Sequence, residues 1–133
     1  MERFIKFFLF LLFIVSSIDA SYIQWYSDYE SAHKKARQEN KKLLVVLTSE
    51  KNSKIINEVF INQPYIEMIN KNFIAVYLMK NQKNGYPIEL LYTLEYPTVF
   101  FLDRYELYSC EPIYGVLNST ILEKKLYECN TNK

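Results

Sequence analysis

The run of apolar residues at positions 43–48, Leu-Leu-Val-Val-Leu-Thr, limits the possible folds of this chain more than any other feature. Successive side chains of a strand point to opposite faces of the sheet, so a continuous apolar run puts apolar surface on both faces. Such a strand is stable only where both faces are covered, as in sheets that lie between helices. The run therefore predicts a central strand, and further apolar runs at 73–79 and 98–102 predict two more strands.

Helical patterns precede, separate and follow these strands. A capping-box pattern, Ser27-x-x-Glu30, predicts the start of a first helix, and Thr120-x-x-Glu123 predicts the start of a last one. Three shorter helices and a fourth strand are predicted at 52–60, 64–69, 88–94 and 107–114. The resulting order, α-β-α-α-β-α-β-β-α, predicts the α/β class, with a mixed four-stranded sheet flanked by helices.

The first twenty residues have the layout of a secretory signal peptide. Arg3 and Lys6 form a short basic region, positions 7–15 are apolar without interruption, and Ala20 ends the stretch on a small residue. We therefore predict that residues 1–20 are removed, that residues 21–133 form one domain, and that the protein is exported to the periplasm or secreted. Ile18 is bulky for its place before the cleavage site, so a retained N-terminal membrane anchor stays open as an alternative.

Charge and metal-ligand content argue against several classes of function. The chain has 16 Lys and Arg against 15 Asp and Glu, a net charge of +1, which gives no electrostatic reason to expect nucleic acid. A zinc site needs several His or Cys ligands, and His33, the single histidine, lies among lysines on the first predicted helix. No glycine-rich phosphate loop is present. We expect His33 at the surface, and no metal, cofactor or nucleic acid.

Five segments follow one another in an order and spacing that chance rarely produces. They are 28–32 (Asp-Tyr-Glu-Ser-Ala), 40–42 (Asn-Lys-Lys), 58–60 (Glu-Val-Phe), 72–76 (Asn-Phe-Ile-Ala-Val) and 96–98 (Tyr-Pro-Thr). This series resembles secreted thioredoxin-like proteins and is similar to the thioredoxin-like domain of membrane thiol:disulfide interchange proteins. The resemblance covers nearly all of residues 22–127. It implies a thioredoxin-like fold and, for the family, thiol–disulfide oxidoreductase activity.

The residues that would perform that activity are missing. The family carries a Cys-x-x-Cys pair at the start of the helix after the first predicted strand. The aligned residues here are Glu50, Lys51, Asn52 and Ser53. A carboxylate does not attack a disulfide, and a serine hydroxyl without a neighbouring base is inert at neutral pH. We therefore predict no catalytic residue in this loop.

Pro97 matches the proline that follows a cis peptide bond in the family and lies beside the redox loop. The resemblance implies that the bond from Tyr96 to Pro97 is cis, and that the backbone there is presented to an extended chain. We therefore predict a binding surface formed by Glu50, Lys51, Asn52, Ser53, Tyr96 and Pro97. Its predicted occupant is an extended polypeptide or a partner protein, whose identity the sequence does not give.

Cys110 and Cys129 are the only cysteines, and an exported chain meets an oxidising compartment in which thiols pair. About 16 Å of strand leads from Cys110 to Gly115, and about 14 Å of helix leads back to Cys129, so the thiols could end at a similar height. A structural disulfide is one interpretation, and two buried unpaired thiols are another. A third makes them the working pair of an oxidoreductase or redox accessory protein, although they lack the spacing and the helix start that activate a thiolate.

The sequence thus favours an exported polypeptide-binding or partner-binding accessory protein without redox chemistry at positions 50–53. Two alternatives stay open. One is the redox role of the two cysteines, and the other is a structural protein held at the membrane by an uncleaved N-terminus.

Overall fold

A computed structural model describes residues 3, 5, 6, 22–61, 63–82 and 85–131, except for the side chains of 63, 64 and 131. The predicted signal peptide lies outside the described residues apart from three positions, so it stays a prediction. The described elements are β1 (Trp25–Tyr26), α1 (Tyr29–Glu39), β2 (Lys42–Thr48), a 3₁₀ turn (Glu50–Asn52), α2 (Ser53–Val59), α3 (Gln63–Asn72), β3 (Phe73–Met79), β4 (Thr98–Leu102), β5 (Ile113–Tyr114) and α4 (Ser119–Thr131).

The strands form one mixed sheet in the order β1-β3-β2-β4-β5. β1 and β2 run parallel to β3, whereas β4 is antiparallel to both β2 and β5. β2 is central, with Val45 opposite Val76 on one side and Phe100 on the other. The prediction of an α/β fold with a mixed sheet around a central apolar strand is therefore confirmed.

Alternate residues of β2 pack into two different hydrophobic layers. Leu43 and Val45 pack with Tyr29 of α1 on one face of the sheet. Leu44 and Val46 pack on the opposite face against apolar residues of α2, α3 and α4. All five side chains are fully buried, which explains why the strand is apolar at successive positions.

The described sheet has five strands and not the predicted four. Trp25 and Tyr26 pair with Ala75 and Val76 and add an edge strand before α1. Two residues are too few to show the alternation by which a strand is recognised, so no sequence pattern marks this one.

The predicted fourth strand at 107–114 is mostly a loop. Only Ile113–Tyr114 forms a ladder with β4. The Asp103 carboxylate accepts the N–H of Leu107 at 3.0 Å, and this local turn competes with strand pairing. Pro112, just before β5, has no N–H to donate to a ladder.

The predicted helix at 88–94 is reduced to a single turn, in which the N–H of Leu91 donates to the carbonyl of Pro87 at 3.0 Å. The Thr93 hydroxyl oxygen accepts the N–H of Glu95 at 3.1 Å and lies 2.9 Å from the Thr98 hydroxyl. These side-chain contacts satisfy local polar groups without a helix, which is why the helix stops.

Two helices begin one or two residues away from the predicted caps. Asp28 takes the place of Ser27, because its carboxylate accepts the N–H of Ser31 at 3.0 Å. Asn118 takes the place of Thr120 at the start of α4. Asp and Asn are at least as strong as Ser and Thr at this position, and sequence patterns locate helix ends only to within a residue or two.

Candidate functional site

The loop after β2 lies where the resemblance implies a redox pair. It forms the 3₁₀ turn and leads directly into α2 at Ser53. The Ser49 hydroxyl donates to Asn52 Oδ1 at 2.7 Å, and the Ser53 hydroxyl donates to the Glu50 carbonyl at 3.3 Å. No described residue accepts the Ser53 proton as a base would, so the loop offers neither a thiol nor an activated hydroxyl.

The peptide bond between Tyr96 and Pro97 is cis, as the resemblance implies. Pro97 is buried, and its carbonyl oxygen accepts the N–H of Gly115 at 2.9 Å. Gly115 has a φ of 72°, in the left-handed region that favours glycine, and a side chain there would also press on Glu95 at 3.2 Å. The residue that follows β5 therefore holds Pro97 in place, and Pro97 lies below the surface of the site.

Tyr96 is half-buried, and its side chain is held at two points. The phenolic hydroxyl donates to the Thr93 carbonyl at 3.3 Å, and Lys80 Nζ lies 5.2 Å from the ring centroid, a cation–π contact. In contrast, neither the backbone N–H nor the backbone C=O of Tyr96 hydrogen-bonds to any other described residue. As far as the described residues show, the backbone beside Pro97 therefore offers one donor and one acceptor.

An open groove of about 720 Å³ brings these segments together. It is lined by Ser49, Glu50, Lys51, Met79, Lys80, Asn81, Gln82 and Tyr96. Three of the six predicted site residues, Glu50, Lys51 and Tyr96, therefore line one groove. The other three, Asn52, Ser53 and Pro97, do not.

The loop after β3 is the part of the groove that sequence reasoning missed. Lys80 and Asn81 directly follow β3, which is parallel to β2. The carboxyl ends of parallel neighbours meet at one edge of a sheet, so residues just after β3 lie close to the loop just after β2. That rule could have assigned Lys80 and Asn81 to the site before the structure was known.

Three charged side chains line the groove, namely Glu50, Lys51 and Lys80. All three are exposed, and no ion pair joins any of them to another residue in the described ranges. Two ammonium groups against one carboxylate give the lining a net positive charge. The groove can therefore pair with a backbone and attract an anionic group, and its lining contains no thiol.

The two cysteines form a disulfide, with their Cα atoms 5.5 Å apart. This excludes the interpretation of two unpaired thiols. Cys129 lies on α4 and is fully buried in the hydrophobic layer between α4 and the sheet. Cys110 is half-buried in the loop before β5. The bond therefore ties that loop to the last helix.

His33 was predicted to be a surface residue, but it is half-buried. Its side chain is 12% exposed, with Nδ1 3.3 Å from Glu106 Oε1 and Nε2 3.1 Å from the carbonyl oxygen of Arg104.

Tyr29 is fully buried and donates its hydroxyl to the same Glu106 oxygen at 2.9 Å. Burial, and then the hydrogen bond to Glu106, raises the pKa of Tyr29 well above its usual range. The turn after β4 covers α1 here, a long-range contact that no local pattern predicts.

In the part of the chain that the structure describes, neither the His, Cys and acidic side chains nor the helices indicate a metal site or a membrane span. No group of three or more His, Cys, Asp or Glu side chains there could hold a metal ion. None of its helices is both long enough and apolar enough to cross a membrane.

Comparison with known families identifies the chain. The model of a family described as thioredoxin-like matches residues 24–104, which is more than half of the sequence. The chain belongs to the thioredoxin-like family. No curated protein matches it.

Three solved structures are similar in fold. DsbH oxidoreductase has a TM-score of 0.66 and 15% identity, over 86% of this chain and 90% of its own. A thioredoxin from Thermus thermophilus has a TM-score of 0.66 and 15% identity, over 82% of this chain and 87% of its own. Thioredoxin O2 from Arabidopsis thaliana, in its oxidised state, has a TM-score of 0.57 and 18% identity, over 85% and 96%. At these identities the likeness shows the fold alone.

Proposed function

We propose that this thioredoxin-like protein is an exported accessory protein that binds an extended polypeptide, or an extended segment of a partner protein, in the groove beside the cis peptide bond. In this proposal the loop at 50–53 contributes contacts and performs no thiol–disulfide exchange.

The unpaired backbone of Tyr96 carries the proposal. Its N–H and C=O have no partner among the described residues, although the side chain of the same residue is half-buried. An extended chain that adds to such an edge gains main-chain hydrogen bonds, whatever its own sequence. The groove beside Tyr96 then supplies room for its side chains.

The backbone around Tyr96 is held in place before any ligand arrives. The Thr98 hydroxyl donates to the Glu95 carbonyl at 2.5 Å and lies 2.9 Å from the Thr93 hydroxyl. A backbone that is already ordered loses little conformational entropy on binding, which favours a recognition role. Tyrosine is also a frequent anchor at the centre of protein interfaces.

The redox alternative has less support. Disulfide exchange begins when a thiolate attacks one sulfur of the bond, so the rate depends on access to that sulfur. Cys129 is fully buried, and Cys110 is only partly accessible. The disulfide also lacks the local spacing that activates a thiolate, and it joins a loop to a helix as a structural bond does.

Export is supported by two independent features. The first twenty residues have the layout of a signal peptide. Disulfides such as the one between Cys110 and Cys129 persist in oxidising compartments and are rare in the cytosol.

Site-specific photo-crosslinking tests the proposal. p-Benzoylphenylalanine replaces Tyr96 in one sample and Tyr127, an exposed tyrosine of α4, in a matched control, and each protein is irradiated with the native envelope fraction. We expect a discrete adduct at position 96 and none at position 127. A peptide that spans the crosslinked segment should then slow hydrogen exchange of the Tyr96 amide. Equal adducts at both positions, or no protection of that amide, would argue against the groove as the site.

A further inference from the structure

We infer that the polypeptide bound in this groove carries an acidic side chain that lies beside Lys80. The inference rests on the proposed function and adds the chemical class of the ligand to it.

Lys80 is fixed at the groove by its backbone and by its side chain. Its N–H donates to the Thr48 carbonyl at 2.8 Å, which ties the start of the loop after β3 to the end of β2. Its Nζ lies 5.2 Å from the centroid of the Tyr96 ring. The contact with the ring limits the positions of a side chain that is otherwise flexible, so the positive charge is held at the Tyr96 ring.

Pairing with Tyr96 decides which ligand side chain meets this charge. Side chains of an extended segment alternate between two faces, and those on the same face as a residue of the paired chain come close to its side chain. The ligand side chain on the face of the Tyr96 ring is therefore the neighbour of Lys80 Nζ. A carboxylate at that position would be attracted, and an ammonium repelled.

The remaining charges of the groove agree with this preference. Lys51 adds a second positive charge to the lining, and neither lysine is in an ion pair within the described part of the chain. Glu50 is the one carboxylate of the lining. It would repel an acidic group placed near it, and this favours Lys80 over the loop at 50–53 as the contact for the ligand carboxylate.

Three matched peptides test the inference. Each has the alternating form Xaa-Val-Xaa-Thr-Xaa-Val-Xaa, with Glu, Gln or Lys at every Xaa, so that a shift in register by two residues keeps the charge on one face. Binding to ¹⁵N-labelled protein is followed through the amide resonance of Tyr96. We expect the Glu peptide to bind about fivefold more tightly than the Gln peptide at low salt, the Lys peptide to bind more weakly than both, and the preference to shrink at high salt.

Two charge-reversal variants locate the preference. Lys80→Glu should invert the order of the Glu and Lys peptides. Lys34→Glu, an exposed position on α1 with the same change in net charge, should leave it unchanged. Equal affinity for all three peptides, or an order that survives Lys80→Glu, overturns the inference and leaves the proposed groove intact. If no peptide moves the Tyr96 resonance, the proposed function itself fails, and the inference fails with it.

Discussion

The hydroxyl of Tyr29 lies 2.9 Å from Oε1 of Glu106, although 77 positions separate the two residues in the sequence. The bond joins α1 to the turn that follows β4. Glu106 has a φ of 65°, a left-handed conformation that residues with a side chain adopt reluctantly. The Tyr29 hydroxyl and the His33 ring both contact its carboxylate, so α1 holds this turn in place.

Tyr29→Phe should lower the free energy of unfolding by about 1 kcal/mol. The ring stays buried, but one hydrogen bond to a carboxylate is lost, and Glu106 is exposed enough for water to replace part of it. Urea unfolding measures the difference. Tyr105→Phe, at an exposed tyrosine of the same turn, is the matched control and should change little. Equal decreases in the free energy of unfolding of the two variants would show that the hydrogen bond between Tyr29 and Glu106 has no special role in stability.

The contribution of Asp28 to stability should disappear in acid. Hydrogen bonds from the Ser31 hydroxyl and then the Ser31 N–H hold the pKa of this carboxyl below its ordinary value of 3.8. The unfolded chain therefore takes up the proton at a higher pH than the folded chain. The stabilisation is fully present above the unfolded pKa and is lost as the pH falls through the folded pKa, below about 4.

Asp28→Asn isolates this effect, because asparagine still caps a helix but does not titrate. Thermal melts of both proteins should differ most well above the unfolded pKa of 3.8 and converge as the pH falls below it, toward the lower folded pKa. A constant difference across that range would show that titration of Asp28 does not contribute.

Removal of the disulfide should destabilise the protein without loss of any redox activity. Cys110 and Cys129 are 19 positions apart, and a bond that closes a loop of this size contributes about 3 kcal/mol by constraining the unfolded chain. We expect Cys110→Ala/Cys129→Ala to unfold at lower urea concentration under non-reducing conditions. Dithiothreitol should destabilise the wild type and leave the variant unchanged. Two titratable thiols in the native wild type would contradict the bond.

The wild-type protein should not catalyse the reduction of insulin by dithiothreitol, because positions 50 and 53 carry no sulfur. Glu50→Cys/Ser53→Cys should introduce activity, since the two thiols would then lie at the start of α2, where a thiolate is stabilised. Glu50→Ala/Ser53→Ala serves as the inactive control. Wild-type turnover above the dithiothreitol background would falsify the assignment of the loop as redox-inactive.

Residues 1–20 should be absent from the exported protein. Their basic, apolar and small-residue regions have the order of a cleaved signal peptide. Intact-mass spectrometry of the protein from the native envelope decides between this prediction and its alternative. A full-length mass in a membrane-associated fraction would favour a retained anchor.

Several features of the fold could be predicted because they depend on short stretches of chain. The apolar run in β2 predicts a central strand with two covered faces, and Leu43 and Leu44 do pack on opposite faces. The motif at Tyr96 and Pro97, with the resemblance that it supports, led to the cis bond and to three of the eight residues that line the groove. Side-chain alternation and family motifs can be recognised within a few consecutive residues.

Other features were decided only by the tertiary structure. Trp25 and Tyr26 become a strand because β3 offers them an edge, and His33 is half-buried because the turn after β4 lies over α1. Lys80 reaches the Tyr96 ring because β3 ends, and the antiparallel strand β4 begins, at the same edge of the sheet. Each of these contacts joins residues that are distant in the sequence. Such a contact forms only if packing elsewhere in the protein offsets the entropy that is lost when the chain between the two residues is closed into a loop. That sum depends on the whole chain, so it cannot be read from a short stretch of sequence.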